Sequence, residues 1–335
     1  MNQIKKTTAA LAAVIMCFGL LTGCGTATSA GTSSGIASAA SQPAQSQNQT
    51  TGATTFVDAL GNQVTVTSTN RVVSLYGSYA ETWTLAGGTL VGATDDAIEE
   101  RNMQLGDDVA IIGSVKNPSM EEIIATNPDF VILNADNEQQ VDLHEALTEA
   151  GIPHAYYRVD TFEEYLDMLK QFCQFTGRED LYQKNGLDVK QQIDKVKQLV
   201  QGKTGPSVLL MRAYSTGVTA KGADNLAGYI LKDLGADNIA DRDDSLLENI
   251  SMEEIIADDP DYIFVTTMGS EQKALDYLAG SLQANPAWAE LSAVKNNHYV
   301  VLPKELFHYK PNARWGESYA YLAKILYPDL AAQIG

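Results

Sequence analysis

The sequence predicts an α/β fold with two lobes, each built around a mainly parallel sheet and joined by one long helix. A first observation is a phrase that occurs twice: residues 119–133 read SMEEIIATNPDFVIL and residues 251–265 read SMEEIIADDPDYIFV. The offset of 132 residues is too long for a solenoid repeat and indicates a duplicated domain-sized unit. A second observation is that short apolar runs alternate with helical patterns in both halves, which is typical of parallel sheets covered by helices on both faces.

The predicted strands follow in chain order. Each is a short apolar or β-rich run bounded by polar or glycine-containing segments. The first lobe contains RVVSLY (71–76), LVGAT (90–94), DFVILN (129–134) and HAYYRV (154–159), and the second contains SVLLMRAY (207–214), DYIFVTT (261–267) and HYVVLP (298–303).

Between the two sets of strands lie two helical patterns. The first covers residues 161–176 and ends at Gly177, and the second covers residues 178–201 and ends at Gly202. In the second, apolar residues recur at helical spacing on one face: Tyr182, Val189, Ile193, Val196 and Val200. We therefore predict a first lobe at residues 56–177, an interlobe helix at 178–202 and a second lobe at 203–335. A single helical crossing disfavours a large hinge motion.

Each copy of the repeated phrase also contains a helix start signal. Serine stands at the predicted N-cap and glutamate follows three residues later, the spacing of a capping box. We expect Glu122 and Glu254 to cap their helices, whereas Glu121 and Glu253 project outward. The pairs Ser78 with Glu81 and Thr161 with Glu164 show the same spacing.

The first 55 residues have the pattern of an export signal and a tether. Lys5 and Lys6 precede an apolar run at 9–21, and the segment LTGC at 21–24 resembles the bacterial lipobox. That resemblance implies removal of residues 1–23 and acylation of Cys24. Residues 24–55 contain almost only small and polar side chains, which predicts a flexible tether. We expect an exported protein held at the outer face of the cytoplasmic membrane through Cys24.

The charge and the cysteines exclude several classes of protein. The chain has 23 basic and 42 acidic residues, a net charge of −19, and loss of Lys5 and Lys6 leaves 21 basic residues and −21. An acidic body of this kind is repelled by phosphate backbones, so nucleic-acid binding is not expected. Cys17 lies in the signal and Cys24 would be lipidated, so Cys173 has no partner for a disulfide and is interpreted as a core residue.

Taken together, these features resemble a known family. The lipobox, the tether, DALGNQVTV (58–66), RVVSLYGSYAETWTLAGG (71–88), both SMEEII phrases and WGESYAYLAKILYP (315–328) are similar to substrate-binding lipoproteins of ABC importers for iron chelates (siderophores), heme and cobalamin. The resemblance implies two Rossmann-like lobes of the class III periplasmic-binding-protein type. It also implies a metal-chelate ligand in the interlobe cleft and a partner complex of ABC permease and ATPase. Glu121 and Glu253 match the positions at which that family docks on basic residues of the permease.

Open α/β sheets bind ligands at the carboxyl ends of their strands, so loops at those ends are the candidate site. Aromatic walls and a few basic donors suit a large metal chelate. The candidate ligand-binding residues are Tyr76, Tyr79, Asn134, Arg212, Tyr214, Met268, His308 and Tyr309, with Lys310 and Arg314 as further cations nearby. With few cations, the predicted cleft favours a neutral or weakly anionic chelate, such as a hydroxamate siderophore or a corrinoid, over a strongly anionic catecholate.

Other functions fit less well. A zinc or manganese receptor of related architecture needs several converging His and carboxylate ligands, but His144, His154, His298 and His308 show no ligand spacing. An extracellular hydrolase needs a motif such as HExxH or an ordered nucleophile elbow, and none is present. We therefore expect a monomeric binding protein without catalytic residues, cofactor or resident metal, with the metal-ion receptor as the alternative.

Overall fold

Two mainly parallel sheets, one after the other along the chain, organise the computed structural model, which describes residues 53–242 and 245–335. The predicted signal peptide (1–23), Cys24 and nearly all of the predicted tether (24–55) lie outside the described residues. Among the described residues, the helices are too short or too polar to span a membrane.

The first lobe begins with a hairpin and continues as alternating strands and helices. Its elements are β1 (Thr54–Val57), β2 (Gln63–Val66), β3 (Val72–Ser74), α1 (Gly77–Leu85), β4 (Leu90–Ala93), α2 (Asp96–Glu99), β5 (Ala110–Ile111), β6 (Gly113–Ser114), β7 (Asn117–Pro118), α3 (Met120–Ala125), β8 (Phe130–Asn134), α4 (Glu138–Val141), α5 (His144–Glu149), β9 (His154–Tyr157) and α6 (Phe162–Thr176). The central sheet has the order β5-β4-β3-β8-β9 and all its pairings are parallel.

The connection between the sheets is a continuous helical stretch. It consists of α7 (Glu179–Tyr182), a π-helical segment (Gln183–Leu187) and α8 (Asp188–Val200). The π segment contains Gly186, where a Cβ atom would lie 2.9 Å from the Leu166 side chain of α6. Glycine thus permits close packing against α6 at the point where the helix changes its hydrogen-bond register.

The second lobe repeats the pattern. Its elements are β10 (Ser207–Tyr214), β11 (Gly217–Ala220), α9 (Leu226–Asp233), β12 (Asp237–Asn238), a 3₁₀ turn (Ile239–Asp241), α10 (Ser245–Glu248), α11 (Met252–Asp258), β13 (Tyr262–Thr267), α12 (Glu271–Gly280), 3₁₀ turns (Leu282–Ala284 and Pro286–Glu290), α13 (Ser292–Lys295), β14 (Tyr299–Val301), α14 (Lys304–Phe307), a 3₁₀ turn (Asn312–Arg314), α15 (Trp315–Leu326), a 3₁₀ turn (Pro328–Leu330) and α16 (Ala331–Ile334). The sheet order is β11-β10-β13-β14, with β12 also pairing with β10. Only the β10–β11 pairing in this sheet is antiparallel.

One hydrophobic core extends from the first lobe through α8 into the second. The buried face of α8 consists of Val189, Ile193, Val196 and Val200 and belongs to the same cluster as Trp83 of the first lobe and Trp315 of the second. Each such side chain stabilises the fold by about 1.5–3 kcal/mol through removal of apolar surface from water. The predicted fold class, two α/β lobes joined by one helix, is therefore confirmed.

The capping predictions were mostly wrong. Thr161 and Glu164 form a complete capping box, whereas the Ser119 side chain accepts from the Glu122 amide at 3.2 Å without a return bond from the Glu122 carboxylate. Ser251 caps nothing with its side chain, and Glu254 Oε2 is buried without a hydrogen-bond partner among the described residues. Sequence spacing identified the helix starts but did not determine where the glutamate side chains point.

Candidate functional site

The carboxyl ends of both sheets face the same region, and contacts between the lobes define it. Lys310 Nζ forms an ion pair with Asp160 Oδ1 at 2.7 Å, and the Lys310 carbonyl accepts a 3.3 Å hydrogen bond from Ser78 Oγ. Asn312 Nδ2 donates to the Ser78 carbonyl at 3.0 Å. Asp160 follows strand β9 of the first lobe, while Lys310 and Asn312 follow α14 of the second. We call the space beside these contacts the cleft.

Arg212 is the cation that enters the cleft with a free donor. It lies near the carboxyl end of β10, opposite Thr266 of β13, on the face shared with the buried Leu210. Its Nε is buried and has no hydrogen-bond partner among the described residues. Burial lowers the pKa of Arg212, while Asp224, Asp160 and Tyr76 raise it. A guanidinium remains charged in proteins, so this buried N–H is a donor without an acceptor.

His308 lies beside Arg212 and is uncharged at neutral pH. It follows α14, and its Nδ1 is buried without a hydrogen-bond partner among the described residues. Burial, and then the positive charges of Arg212, Lys304 and Lys310, together lower the pKa of His308 to about 4. The neutral ring can accept a hydrogen bond at one nitrogen and donate one at the other.

Tyr76 faces these two residues from the first lobe. It is the N-cap residue of α1, directly after β3, and its ring is half-buried and packs edge-on against Tyr79 with centroids 4.9 Å apart. Burial, and then the charge of Asp96, raise the pKa of Tyr76, so the phenol stays protonated. Its hydroxyl makes no hydrogen bond to the part of the chain that the structure describes, so it can donate to a ligand.

Tyr79 has a packing role instead. Its side chain is 1% exposed, and its hydroxyl donates to the Tyr157 carbonyl at 3.2 Å inside the first lobe. Tyr76 precedes the helix and remains half-buried at the edge of the cleft, whereas Tyr79, three residues later, lies in the core. We leave Tyr79 out of the candidate site.

Of the other predicted ligand residues, Tyr309 contacts His308, and the remaining three lie at or just after the carboxyl ends of strands. Asn134 lies at the end of β8, where its Oδ1 accepts from the Asp136 amide at 2.9 Å. Tyr214 ends β10 and its ring lies against Gly217, where an added Cβ would be 2.6 Å away. Met268 follows β13 and is 42% exposed. Tyr309 lies beside His308, with ring centroids 5.3 Å apart.

Two further cations near the cleft are already engaged. Besides the ion pair of Lys310, Lys304 Nζ donates to the Gly269 carbonyl at 2.7 Å and lies 5.3 Å from the centroid of the Tyr309 ring. Arg314 is farther out and forms a fork with the Glu317 carboxylate at 2.8 and 3.0 Å. Arg212 is therefore the basic residue of the described cleft whose buried donor is unpaired.

Sequence reasoning missed the polar network that joins the lobes. Glu81 was expected to cap α1, but its carboxylate pairs with Arg101 and accepts from Asn312 Nδ2 at 2.7 Å. Asp160 pairs with Lys310 of the second lobe and not with the nearby Arg158, which binds Asp136 at 2.6 Å. Asp160 follows a strand at its carboxyl end, so the rule that selected the other residues could have found it.

The two docking candidates occupy equivalent places in the lobes. Glu121 and Glu253 are both exposed in the first turns of α3 and α11. Three residues later on the same face of each helix stand Ile124 and Ile256, which are 52% and 44% exposed. Each lobe thus presents an acidic and an apolar side chain together.

No set of three or more His, Cys, Asp or Glu side chains that could hold a metal ion occurs in residues 53–242 and 245–335. The geometry therefore gives no support to a receptor for a bare zinc or manganese ion. The site instead offers a guanidinium, a neutral imidazole and a phenol, which suit oxygen atoms of a larger ligand.

Known proteins with similar sequences are binding proteins. The chain is 26% identical over 239 residues to the Fe(3+)-citrate-binding protein YfmC of Bacillus subtilis, covering 70% of this chain and 73% of the relative. It is 22% identical over 211 residues to the vitamin B12-binding protein of Vibrio campbellii, covering 62% and 71%.

Solved structures show the same fold. The structure of S. aureus IsdE complexed with heme superimposes with a TM-score of 0.64 at 18% identity and covers 77% of this chain and 98% of that one. The family model described as periplasmic binding protein matches residues 72–306, which include both sheets and the connecting helix. With that match over most of its length and this fold, the chain belongs to the periplasmic binding protein family.

Proposed function

We propose that the protein is an extracytoplasmic, lipid-anchored receptor that binds a metal chelate in the cleft and delivers it to an ABC permease. The observation that carries the chelate proposal is the buried, unpaired Nε of Arg212 beside the unpaired Nδ1 of His308. Leaving polar atoms buried without partners costs about 1–3 kcal/mol each, so an oxygen-rich ligand that satisfies them would bind favourably.

The charge balance of the cleft suggests the ligand class. One guanidinium is free, Lys310 is neutralised by Asp160, and Tyr76 supplies a protonated hydroxyl. This small excess of positive charge, from Arg212 and from the carbonyl-bound Lys304, supports a neutral or weakly anionic chelate with at least one ionised oxygen, such as a ferric hydroxamate or a corrinoid. The ferric citrate and vitamin B12 ligands that the relatives are named for are both oxygen-rich metal complexes.

Delivery requires a surface that the permease can recognise. Glu121 and Glu253 are exposed, acidic and repeated once per lobe, so they suit a partner with two basic patches. Anchoring through Cys24 rests on the sequence pattern alone and would keep the receptor beside that partner.

A binding experiment tests the chelate proposal. Purified protein is titrated with ferric citrate, a ferric trihydroxamate, cobalamin and hemin while tryptophan fluorescence and absorbance are recorded. We expect Arg212→Ala to weaken binding of the preferred chelate by about 10- to 100-fold, the effect of losing a charge-assisted hydrogen bond. The matched control Arg314→Ala removes an arginine already paired with Glu317 and should bind as the wild type does.

Several results would contradict the proposal. Equal affinities of the wild type and Arg212→Ala, or absence of binding to all four probes, would exclude the proposed site. A Soret shift with hemin that disappears in His308→Ala or Met268→Ala would identify heme, and not a weakly anionic chelate, as the ligand. These side chains are able to ligate heme iron.

The same titration distinguishes chelates by charge. Asp160→Asn should free the Lys310 ammonium and add one positive charge to the cleft. We expect the ratio of affinities for ferric citrate over the less anionic trihydroxamate to rise by about tenfold, within the range for one desolvated charge contact. An unchanged ratio would show that Lys310 does not act on the ligand.

A further inference from the structure

Two of the four histidines meet on the outside of the first lobe, away from the cleft. His144 is the first residue of α5 and His154 is the first residue of β9, which is an edge strand of the first sheet. His144 Nδ1 lies 2.9 Å from His154 Nε2, and the ring centroids are 5.0 Å apart. Nothing in the chelate-binding role uses this pair.

The backbone determines which nitrogen of His154 carries the proton. His154 Nδ1 lies 2.9 Å from the Ile152 carbonyl, which can only accept a hydrogen bond. Nδ1 therefore carries hydrogen, and the neutral ring has its lone pair on Nε2, directed at His144. A histidine whose second nitrogen donates to a carbonyl is the usual arrangement of a metal ligand, since the bond orients the ring and makes the free nitrogen more basic.

We propose that His144 Nδ1 and His154 Nε2 form a binding site for one divalent transition-metal ion, with water completing the coordination. Imidazole nitrogens lie about 2.0–2.1 Å from such an ion, so two ligands at right angles are about 2.9 Å apart and tetrahedral ligands about 3.3 Å. The observed 2.9 Å separation lies in this range. His144 is exposed, so its ring can take the tautomer with hydrogen on Nε2 and turn by a small angle to direct the Nδ1 lone pair at the ion.

The groups around His144 and His154 favour binding of a cation between the two rings. The hydrogen bond from Nδ1 to the Ile152 carbonyl leaves the lone pair of the neutral His154 ring on Nε2, the form that binds a metal ion. The negative charge of Asp58 is close enough to act on His154, and the whole chain carries a net charge of −19. The polar side chains of Asn62 and Thr148 line the same surface pocket and can bind coordinated water.

Imidazole ligands suit Cu²⁺, Ni²⁺ and Zn²⁺, and Cu²⁺ binds most tightly in this series. A bound ion would link the edge strand β9 to helix α5 and so stabilise the outer edge of the first sheet. Because the pair lies outside the cleft, its occupancy should not depend on Arg212 or on any chelate.

The test is a Cu²⁺ titration of the untagged full chain after treatment with a chelator, monitored by electron paramagnetic resonance and by competition with a chromogenic chelator. We expect one ion with a spectrum showing two imidazole nitrogens. His144→Ala and His154→Ala should each lower the copper affinity of this site at least about tenfold. Loss of a residue that only supports a metal ligand already lowers affinity by about 10- to 100-fold, and loss of a direct ligand should lower it at least as much. His298→Ala, which alters a histidine of the second lobe, and Arg212→Ala should bind as the wild type does.

Cys24 and the N-terminus can also bind copper, and they are the same in all variants. Copper binding at the His144–His154 pair is therefore measured as the difference between the wild type and the alanine variants. Thermal unfolding without metal checks folding, and His144→Gln provides a second variant at the exposed position. The proposal is overturned if the wild-type spectrum shows fewer than two imidazole nitrogens, or if the alanine variants retain wild-type affinity. Loss of chelate binding in the cleft experiment would leave this result unaffected.

Discussion

His308 contributes a pH-dependent term to stability as well as a hydrogen-bonding atom to the cleft. Its ring is buried in the neutral form between Arg212, Lys304 and Lys310, all of which oppose its protonation. The same environment that makes the ring a good acceptor for a ligand makes it unable to take up a proton until the solution is strongly acidic. The consequence can be measured without knowing the ligand.

We predict that His308→Gln reduces the loss of stability between pH 7 and pH 4.5. The pKa of His308 is about 4 in the folded protein, against 6.5 for the unperturbed side chain. As the pH falls below 6.5 the unfolded chain binds a proton that the folded chain does not, so this histidine lowers stability by at most roughly 3 kcal/mol. Urea unfolding of the wild type and of His308→Gln at pH 7 and pH 4.5 measures this contribution to the free energy of unfolding.

The matched control is Met268→Ala, which alters the same cleft without removing a titratable group. It should show the pH dependence of the wild type. If His308→Gln also shows that dependence, His308 is protonated in the folded state at ordinary acidity and cannot be the neutral acceptor that we describe.

At the scale of elements, α3 and α11 are the same unit used twice. Each starts after a serine, buries one isoleucine (Ile123 and Ile255) and leaves a glutamate and the following isoleucine in solvent. Exposed isoleucines are common as single residues, but these two occur at equivalent positions 132 residues apart. The repetition is the reason to test the helices together.

The charge-reversed double variant Glu121→Lys with Glu253→Lys is predicted to abolish chelate uptake by cells while leaving chelate affinity nearly unchanged. Lysines at these positions have the same sign of charge as a basic partner and oppose association, whereas neither glutamate belongs to the candidate ligand-binding residues. Uptake of radiolabelled chelate and fluorescence titration of the purified protein measure the two properties separately.

The double variant Glu145→Lys with Glu271→Lys provides the control. It makes the same change in net charge at the exposed first turns of α5 and α12 and should support normal uptake. Normal uptake by the Glu121 and Glu253 variant would refute the docking assignment without affecting the ligand site.

At the scale of the whole molecule, the lobes are joined by more than the connecting helix. Tyr229 Oη of the second lobe donates to Glu163 Oε2 of the first at 2.6 Å. Beside it, Asp233 accepts from Tyr319 Oη at 2.7 Å and pairs with Lys197 of α8 at 2.7 Å. Together with the shared hydrophobic core, these contacts resist separation of the lobes.

We therefore predict that ligand binding produces only a small rotation of the lobes. Small-angle X-ray scattering profiles of the free protein and of the protein saturated with its preferred chelate should nearly superimpose, because the shared core cannot open without exposing apolar surface. Arg212→Ala mixed with the same chelate controls for effects of the chelate itself. A large compaction that occurs only in the wild type would indicate a wide hinge motion.

The architecture of this protein could be predicted from local sequence patterns. The seven predicted strands all occur, and β10 has the predicted limits of residues 207–214. Parallel strands buried on both faces are continuous apolar runs, and amphipathic helices repeat every 3.6 residues, so both patterns are local and can be recognised along the chain. The duplicated phrase likewise predicted two equivalent lobes before any contact was known.

The partners of the polar side chains, in contrast, depend on contacts between distant parts of the chain. Glu81 and Lys310 were both chosen from local patterns, yet Glu81 binds Arg101 and Asn312, and Lys310 binds Asp160 from the other lobe. A carboxylate or ammonium at the end of a flexible side chain binds whichever charged or polar partner the fold brings near, and those partners are up to 231 residues away in sequence. Arg212 differs from Lys310 only because the fold leaves its buried Nε without such a partner.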